Sequence, residues 1–506
     1  MPKQDEPNPV RSRGWAFAAI VLVAFAVKLP FAAAPFKLYS DAIAYVNIAH
    51  NLACGNGFTS TLRLNYFDRR PVVHLALADW PPLYPLFAGA LMRLGVTDAG
   101  LQVANALLAA LAAGLVFLVA CRLFDHRVGI VSGLMAAAAL NLFRVSVMAL
   151  SDPLGLVLAL GAVLAALHAE GQSRMWFWTG VLAGLAYLTR FPNAVLTIAL
   201  IGFGATGRGR ARSIVGCLSG FALAAGPVLA WKWAVYGSPF YGVQSMHYTT
   251  MSFKHSSWWW YARPRPRPEL DIHGIWAAVQ RNAITFARDL LSSVNGLHAL
   301  IFGFPLAVYG LGRTFFARGR GLALTAAFLN FAAYASTWSL PAAQGARFML
   351  LSYCLLLPFC AAGIVWLFER PNIAAKCVAA VVCAAAVFSY CRHYPAASRA
   401  QQFAPMDRRA VDWIRNNLPK HTIVASNNPW IVSYETGLAT AALPHNLGWK
   451  TFPKFVRKYR VGALVVLKTR HNSKTMRTLR AHPEWFRTTR LGTVSVNVIR
   501  SRQTPF

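Results

Sequence analysis

The 506-residue chain carries 50 Lys and Arg against 17 Asp and Glu, a formal net charge of +33, yet 56% of it is hydrophobic and only 13% is charged. Soluble domains hold roughly 25% charged residues, so this composition excludes an ordinary soluble protein, and a mean hydropathy of +0.42 excludes a charged, disordered one. In so apolar a chain Lys and Arg collect in cytoplasmic loops, and the basic balance does not call for a nucleic-acid partner.

Arg11 and Arg13 precede an apolar run from Trp15 to Ala34 that is too long for a signal-peptide core and reads as a first membrane helix. Crossing the hydrocarbon takes ~20 apolar residues. Such stretches fall at about 15–34, 100–121, 128–143, 153–169, 175–189, 191–206, 213–235, 291–312, 321–340, 348–368 and 372–391, which makes eleven transmembrane helices. Pro81–Leu94 is too short to span and reads as an interfacial or re-entrant helix, and Asp41–Cys54 is an amphipathic stretch. With the N-terminus inside, Arg122, His126, Arg127, Arg174, Arg208, Arg210, Arg212, Arg313, Arg318, Arg320 and Arg370 all lie in cytoplasmic loops. Residues 35–99, 236–290 and the tail from about 395 then face outward.

The tail alternates β-branched strands (His421–Ala425, Gly462–Lys468, Gly492–Ile499) with polar helical segments such as Met406–Asn417, the pattern of a small soluble α/β domain. The expected division is a membrane part, 1–394, and an outer α/β domain, 395–506. Cys121, Cys217, Cys354, Cys360, Cys377 and Cys383 sit in apolar runs; Cys54 and Cys391 lie outside them, and no disulfide follows from the sequence.

Acidic residues are scarce, and Asp41, Asp68, Asp79, Asp98 and Asp152 fall at or near the outer ends of apolar segments. A carboxylate beside a bilayer is costly and marks a candidate site. Asp41 follows Ser40 at the start of an amphipathic helix, and Ser151-Asp152-Pro153 is a helix-start signature, so both also have a capping reading. Arg190 and Arg347, at the outer ends of spans, suit bidentate phosphate binding or interfacial snorkelling. Lys254, Arg263, Arg265 and Arg267 in the second outer loop offer further phosphate contacts, and Trp258, Trp259 and Trp260 read as an aromatic belt. His247 and His255 form no compact metal-ligand cluster by spacing. There is no phosphate loop, dinucleotide fingerprint or nucleophile elbow, so no nucleotide cofactor is expected.

Tyr39-Ser40-Asp41-Ala42-Ile43-Ala44-Tyr45, Gly55-Asn56-Gly57-Phe58 and Asp79-Trp80-Pro81-Pro82-Leu83-Tyr84-Pro85, followed by Leu150-Ser151-Asp152-Pro153-Leu154 and Leu188-Thr189-Arg190, occur in an order that resembles the GT-C superfamily of integral-membrane glycosyltransferases. Within it, the chain is similar to the bacterial branch related to protein mannosyltransferases and the lipid A aminoarabinose transferase. Asp412–Pro419 and Tyr434–Gly437 are similar to the outer domain that many members carry.

The resemblance implies an inverting transfer of a sugar from a polyprenyl-phosphate donor to an acceptor at the periplasmic face of the bacterial inner membrane. It makes Asp41 the general base, places Arg190 and Arg347 near the donor phosphate, and supplies two helices lying along the membrane in the first outer loop, which Asp41–Cys54 and Pro81–Leu94 fit; Asp152 is a supporting catalytic candidate and Lys254 a further candidate phosphate contact. Tyr45, Trp80 and Tyr84 would touch sugar or acceptor, and Asp79, with His247 or His255, would hold a divalent metal (Mg, Mn or Zn). Two departures stand out: relatives carry Asp-Glu where this chain has Asp41-Ala42, and the aminoarabinose transferase has Glu-Lys-Pro where this chain has Asp79-Trp80-Pro81. The basic tail suits an anionic acceptor such as lipopolysaccharide, a lipid-linked glycan or anionic lipid. A flippase or transporter would instead place ionisable groups at the bilayer midplane in paired halves, and no repeat is visible. A glycan ligase using a polyprenyl-pyrophosphate oligosaccharide would need no base at Asp41.

Overall fold

The computed structural model describes residues 9–66, 70–169, 172–207, 209–242, 318–337, 347–381 and 383–384, then 402–444, 447–467 and 474–499, with parts of 272–284. The expected span 291–312, Asp68, the basic and aromatic run 254–267, His247, His255 and Cys391 lie outside the described residues. The membrane part begins with α1 (Pro9–Ala32), α2 (Ser40–Ala53), α3 (Leu83–Arg93) and α4 (Asp98–Leu123). It continues through α5 (His126–Ala138), α6 (Leu140–Ser146), α7 (Asp152–His168), α8 (Ser173–Thr189), α9 (Ala194–Ala205) and α10 (Arg210–Tyr236). Two later helices, Arg318–Thr337 and Leu350–Glu369, pack back onto this group.

Among the described residues four helices are long and apolar enough to cross a membrane: Ser12–Ala32, Asp98–Leu123, Arg210–Tyr236 and Leu350–Glu369. These make the chain a multi-pass membrane protein. The stretches expected to span at 153–169, 175–189 and 191–206 are helices of 17, 17 and 12 residues. The stretch expected to span at 128–143 is two helices, α5 and α6, that meet at 53°. Ala139, with ψ 118°, leaves the helical region and breaks the hydrogen-bond ladder. Lys28 Nζ, buried inside α1, donates to the Ala137 carbonyl at 2.7 Å beside the break, supplying a donor where the ladder is interrupted.

Close helix packing depends on small residues. A Cβ at Gly180 of α8 would stand 2.0 Å from the Cys217 carbonyl oxygen of α10, and one at Gly220 2.0 Å from that of Phe177, so only glycine lets the two backbones approach this closely.

Residues 402–499 alternate helices and strands around a six-stranded sheet. Its strands are β4 (Ile423–Ser426), β5 (Thr440–Ala442), β6 (Val461–Leu467), β7 (Phe486–Leu491) and β8 (Val494–Ile499), joined by β2 (Leu62–Arg63) from the first outer loop; β1 (Thr59–Ser60) and β3 (His74–Leu75) pair separately. The order is β2-β5-β4-β6-β8-β7, parallel from β2 to β6 and antiparallel through β8 and β7. The unbroken apolar run Val461–Leu467 suits a central strand covered on both faces. The single strand expected at 492–499 is part of a hairpin with β7. The two-residue β2 ties the loop carrying Asp41 and Asp79 to the tail, and Tyr66 donates to the Ala442 carbonyl to close the same seam.

Candidate active site

α2 lies between the membrane helices and the tail, with Ser40, Ala42–Val46, Ile48 and Ala49 buried. Its start is fixed by the tail: Ser40 N donates to Gln402 Oε1 at 3.0 Å, and Gln402 N to the Leu38 carbonyl at 3.0 Å. This holds Asp41 at the head of the helix, beside the start of α7 and the end of α8. Asn105 of α4 donates to the carbonyls of Met148 and Leu150 at 2.6 and 2.7 Å, fixing the short segment that delivers Asp152 to the start of α7.

The four residues singled out by sequence, Asp41, Asp152, Arg190 and Arg347, converge. Arg347 Nη1 donates to Asp41 Oδ2 at 2.7 Å, while its Nη2 and Nε reach Asp152 Oδ2 at 2.9 and 3.0 Å. Arg190 Nη1 donates to the other Asp152 oxygen, and its Nε to the Tyr334 hydroxyl at 3.0 Å. The guanidiniums lie against Tyr39, Tyr334 and Phe348, at 5.3–5.7 Å from the ring centres. Two carboxylates and two guanidiniums balance, as buried charges must. The carboxylates differ in access: the Asp152 side chain is 2% exposed and Asp41 24%. Of the two, Asp41 is the one an incoming group can reach.

Tyr45 and Tyr84 are buried in the wall of the site, 4% and 1% exposed. The Tyr45 and Ser151 hydroxyls share a 2.9 Å hydrogen bond, and the Tyr45 ring meets those of Trp80 and Tyr84 edge-on at 5.0 Å. Trp80 is half-buried. Lys254 lies outside the described residues.

Asp79 is elsewhere in the loop and already occupied. His74 Nε2 donates to its Oδ2 at 2.7 Å, and Arg70 Nη2 and Asn65 Nδ2 donate to its Oδ1 at 3.0 and 3.3 Å. Burial pushes its carboxyl up, but the His74 hydrogen bond and the Arg70 charge outweigh burial and hold it well below the usual carboxylate range. Among the described residues no group of three His, Cys, Asp or Glu could hold a metal. A carboxylate whose oxygens are taken by cationic donors does not fit a metal ligand set.

On the far face of α2 an open groove runs between Asn47, His50, Asn51 and the tail residues Arg408, Asp412, Arg415 and Glu435. His50 Nε2 bonds Asp98 Oδ1 at 2.9 Å, and the Tyr434 hydroxyl donates to Asp98 Oδ2 at 3.0 Å, linking α2, α4 and the tail. The Asp98 hydrogen bond raises the His50 pKa, and burial raises that of Glu435.

Residues 79–231 match the family model for dolichyl-phosphate-mannose-protein mannosyltransferase. No curated protein matches the sequence. Over 97% of its length the chain superposes on 75% of the oligosaccharyltransferase AglB from Archaeoglobus fulgidus, solved with an inhibitory peptide and a dolichol-phosphate, at a TM-score of 0.61 and 13% identity. Another structure of that protein is a complex with zinc and sulfate. ArnT from Cupriavidus metallidurans, bound to undecaprenyl phosphate, matches with a TM-score of 0.58 and 14% identity over 97% of this chain and 98% of that one. The mycobacterial arabinofuranosyltransferase AftD gives 0.55 and 13% over 99% of this chain and 40% of its own. The chain shares the fold of these three transferases. The segment that carries Asp41 is where the GT-C resemblance read from the sequence began. Sequence reasoning missed Tyr334, Ser151, His74 and Arg70, whose types carry no signal until the chain folds, and Lys28 and Lys232, charges inside apolar helices that a search for intramembrane ionisable residues finds.

Proposed function

We propose that the protein is an inverting glycosyltransferase that moves a sugar from a polyprenyl-phosphate donor to an acceptor at the outer face of the bacterial inner membrane. The observation that carries this reading is the Asp41–Arg347–Asp152–Arg190 cluster, in which a partly exposed carboxylate shares a guanidinium with a buried one. Asp152 acts as the fixed counter-charge that orients both arginines. When the carrier phosphate arrives, Arg347 shifts its Nη1 from Asp41 to a phosphate oxygen. That exchange frees the Asp41 carboxylate to take the acceptor hydroxyl proton as the oxygen attacks the anomeric carbon. The C–O bond to the carrier breaks, and phosphate leaves with its charge met by Arg347 and Arg190.

The groove on the far face of α2 suits recognition of the acceptor's polar part, because it is lined by amide, carboxylate and guanidinium groups of α2 and the tail. In this reading the chain crosses the membrane eleven times, with residues 395–506 forming a periplasmic α/β domain. No step is routed through a metal, since the residues about Asp79 do not fit one.

The test is incubation of purified wild type and Asp41→Asn with a panel of polyprenyl-phosphate sugars and membrane extract as acceptor source, reading free polyprenyl phosphate by mass spectrometry. Release with one donor that disappears in the variant is expected. Equal release from the variant removes Asp41 from the chemistry, and release from no donor removes the transferase reading.

A further inference from the structure

α2 carries two stripes. At 3.6 residues per turn, Asp41 and Tyr45 share the side that meets Arg347 and Ser151, and Ile43, Val46, Asn47 and His50 fall on the opposite side. The second stripe is one wall of the groove. The facing wall is a stripe of the same spacing on the tail helix Arg408–Asn417, made by Arg408, Val411, Asp412 and Arg415. The space between them measures about 770 Å³, within the roughly 300–1,000 Å³ of small-molecule sites. Ile43, Val46, Met406 and Val411 give it a buried apolar lining beside its polar groups.

Much of the polar lining is already committed. Asp98 is held by His50 and Tyr434 at 2.9 and 3.0 Å, Glu435 accepts from Met406 N at 3.2 Å, and Asn47 donates to the Thr61 hydroxyl at 2.6 Å. Asn51 gives its Nδ2 to the Thr59 carbonyl at 2.9 Å and keeps Oδ1 for a ligand. Among the described residues the exposed Arg408 and Asp412 side chains have no partner. One guanidinium and one carboxylate sum to zero, and over the whole groove Asp98, Asp412 and Glu435 offset Arg408, Arg415 and His50. A guanidinium that only donates and a carboxylate that only accepts, set against an apolar surface, match the hydroxyls and C–H face of a sugar. A phosphate would face Asp412 with no surplus of cations to hold it.

The positive surplus of the tail lies across its sheet. Along β6, Ala463 and Val465 pack with the core of helix Arg408–Asn417, and Leu464 and Val466 with that of helix Phe452–Tyr459. The exposed Lys454, Arg457, Lys458, Lys474, Arg477 and Arg480 belong to the second side, away from the groove.

We propose that the groove between α2 and helix Arg408–Asn417 is a saccharide subsite that holds an uncharged sugar of the acceptor, a helix diameter of about 10 Å from the hydroxyl that meets Asp41. The proposal depends on the transferase reading only in calling that sugar part of the acceptor.

The test measures binding to the full-length protein in lipid nanodiscs by saturation-transfer NMR, with no transfer reaction needed. The probes are neutral trisaccharides of glucose, galactose, mannose or N-acetylglucosamine, their 6-phosphates, and a Ser- and Thr-rich decapeptide. At least one neutral trisaccharide should bind, and Arg408→Ala and Asp412→Ala should each weaken it about tenfold to a hundredfold. Both side chains are exposed, so the variants should fold. Arg409→Ala, one residue off the stripe, should bind as wild type does.

Binding of no neutral trisaccharide, or binding unchanged in both stripe variants, would overturn the site. Preference for the 6-phosphates would overturn the uncharged class, and binding of the decapeptide alone would replace saccharide with polypeptide. Saccharide binding that needs Asp412, without sugar release from any donor, would sink the transferase reading and keep the site. Release that needs Asp41, with no saccharide bound, would do the reverse.

Discussion

Two charged clusters each take an aspartate from the segment between α1 and α4 and use similar residue types to opposite ends. Around Asp152, two carboxylates meet two guanidiniums, and one of the carboxylates remains partly open. Around Asp79, a single carboxylate takes hydrogen bonds from Arg70, His74 and Asn65, and both its oxygens are taken. The first arrangement can release a base when an anion competes for Arg347; the second has no base to release. Function here follows the local balance of charge rather than the presence of an aspartate in a familiar motif.

Breaking the first cluster at its open end should give the largest effect. Asp41→Asn keeps the shape and removes the proton acceptor, and general-base catalysis is worth about 10²- to 10⁴-fold. Polyprenyl-phosphate release should fall by that factor with the melting temperature nearly unchanged. Breaking it at the buried end should act on the fold instead. Asp152→Asn leaves Arg190 and Arg347 buried without their shared counter-charge, which costs about 3–5 kcal/mol, read as a lower melting temperature in detergent. A variant at Asp152 that lost activity but kept full stability would contradict the division of labour between the two carboxylates.

The first cluster was legible in the sequence because each member sits at the end of an apolar segment, where a charged residue stands out. The second was not. His74 and Arg70 look like loop residues until the chain turns back on Asp79, and β2 is two residues long, with no periodicity to announce that it completes a sheet more than 370 positions away. The motif about Asp79 pointed toward a metal, and only the hydrogen bonds show its oxygens already filled. The bend at Ala139 was hidden for another reason: no Pro or Gly marks it, and what accompanies it is a lysine from a different helix.

The second cluster can be tested with acid. The Asp79 carboxyl titrates below its ordinary range in the folded protein, so its contribution is complete above pH ~4 and is lost as pH falls through the depressed value. Wild type should lose melting temperature between about pH 4 and pH 2, and Asp79→Asn, lower in stability at neutral pH by about 1–3 kcal/mol because an amide nitrogen then faces a donor, should lack that part of the acid slope.

The smallest effect belongs to the link between the two parts, where His50 bonds Asp98 beside Tyr434. Its hydrogen bond raises the His50 pKa, so the stabilisation is present below pH ~6.5 and fades as pH rises through the raised value, opposite in sign to Asp79. The His50 side chain is 56% exposed, and solvent screening limits the term to a few tenths of a kcal/mol. Hydrogen exchange in the tail helix Pro429–Thr436 should therefore quicken slightly between pH 6 and pH 8 after correction for intrinsic rates, and His50→Ala should flatten that dependence. A dependence that survives the substitution would remove His50 as its source, because the Tyr434–Asp98 bond, whose tyrosine Oη donates at either pH, cannot supply it.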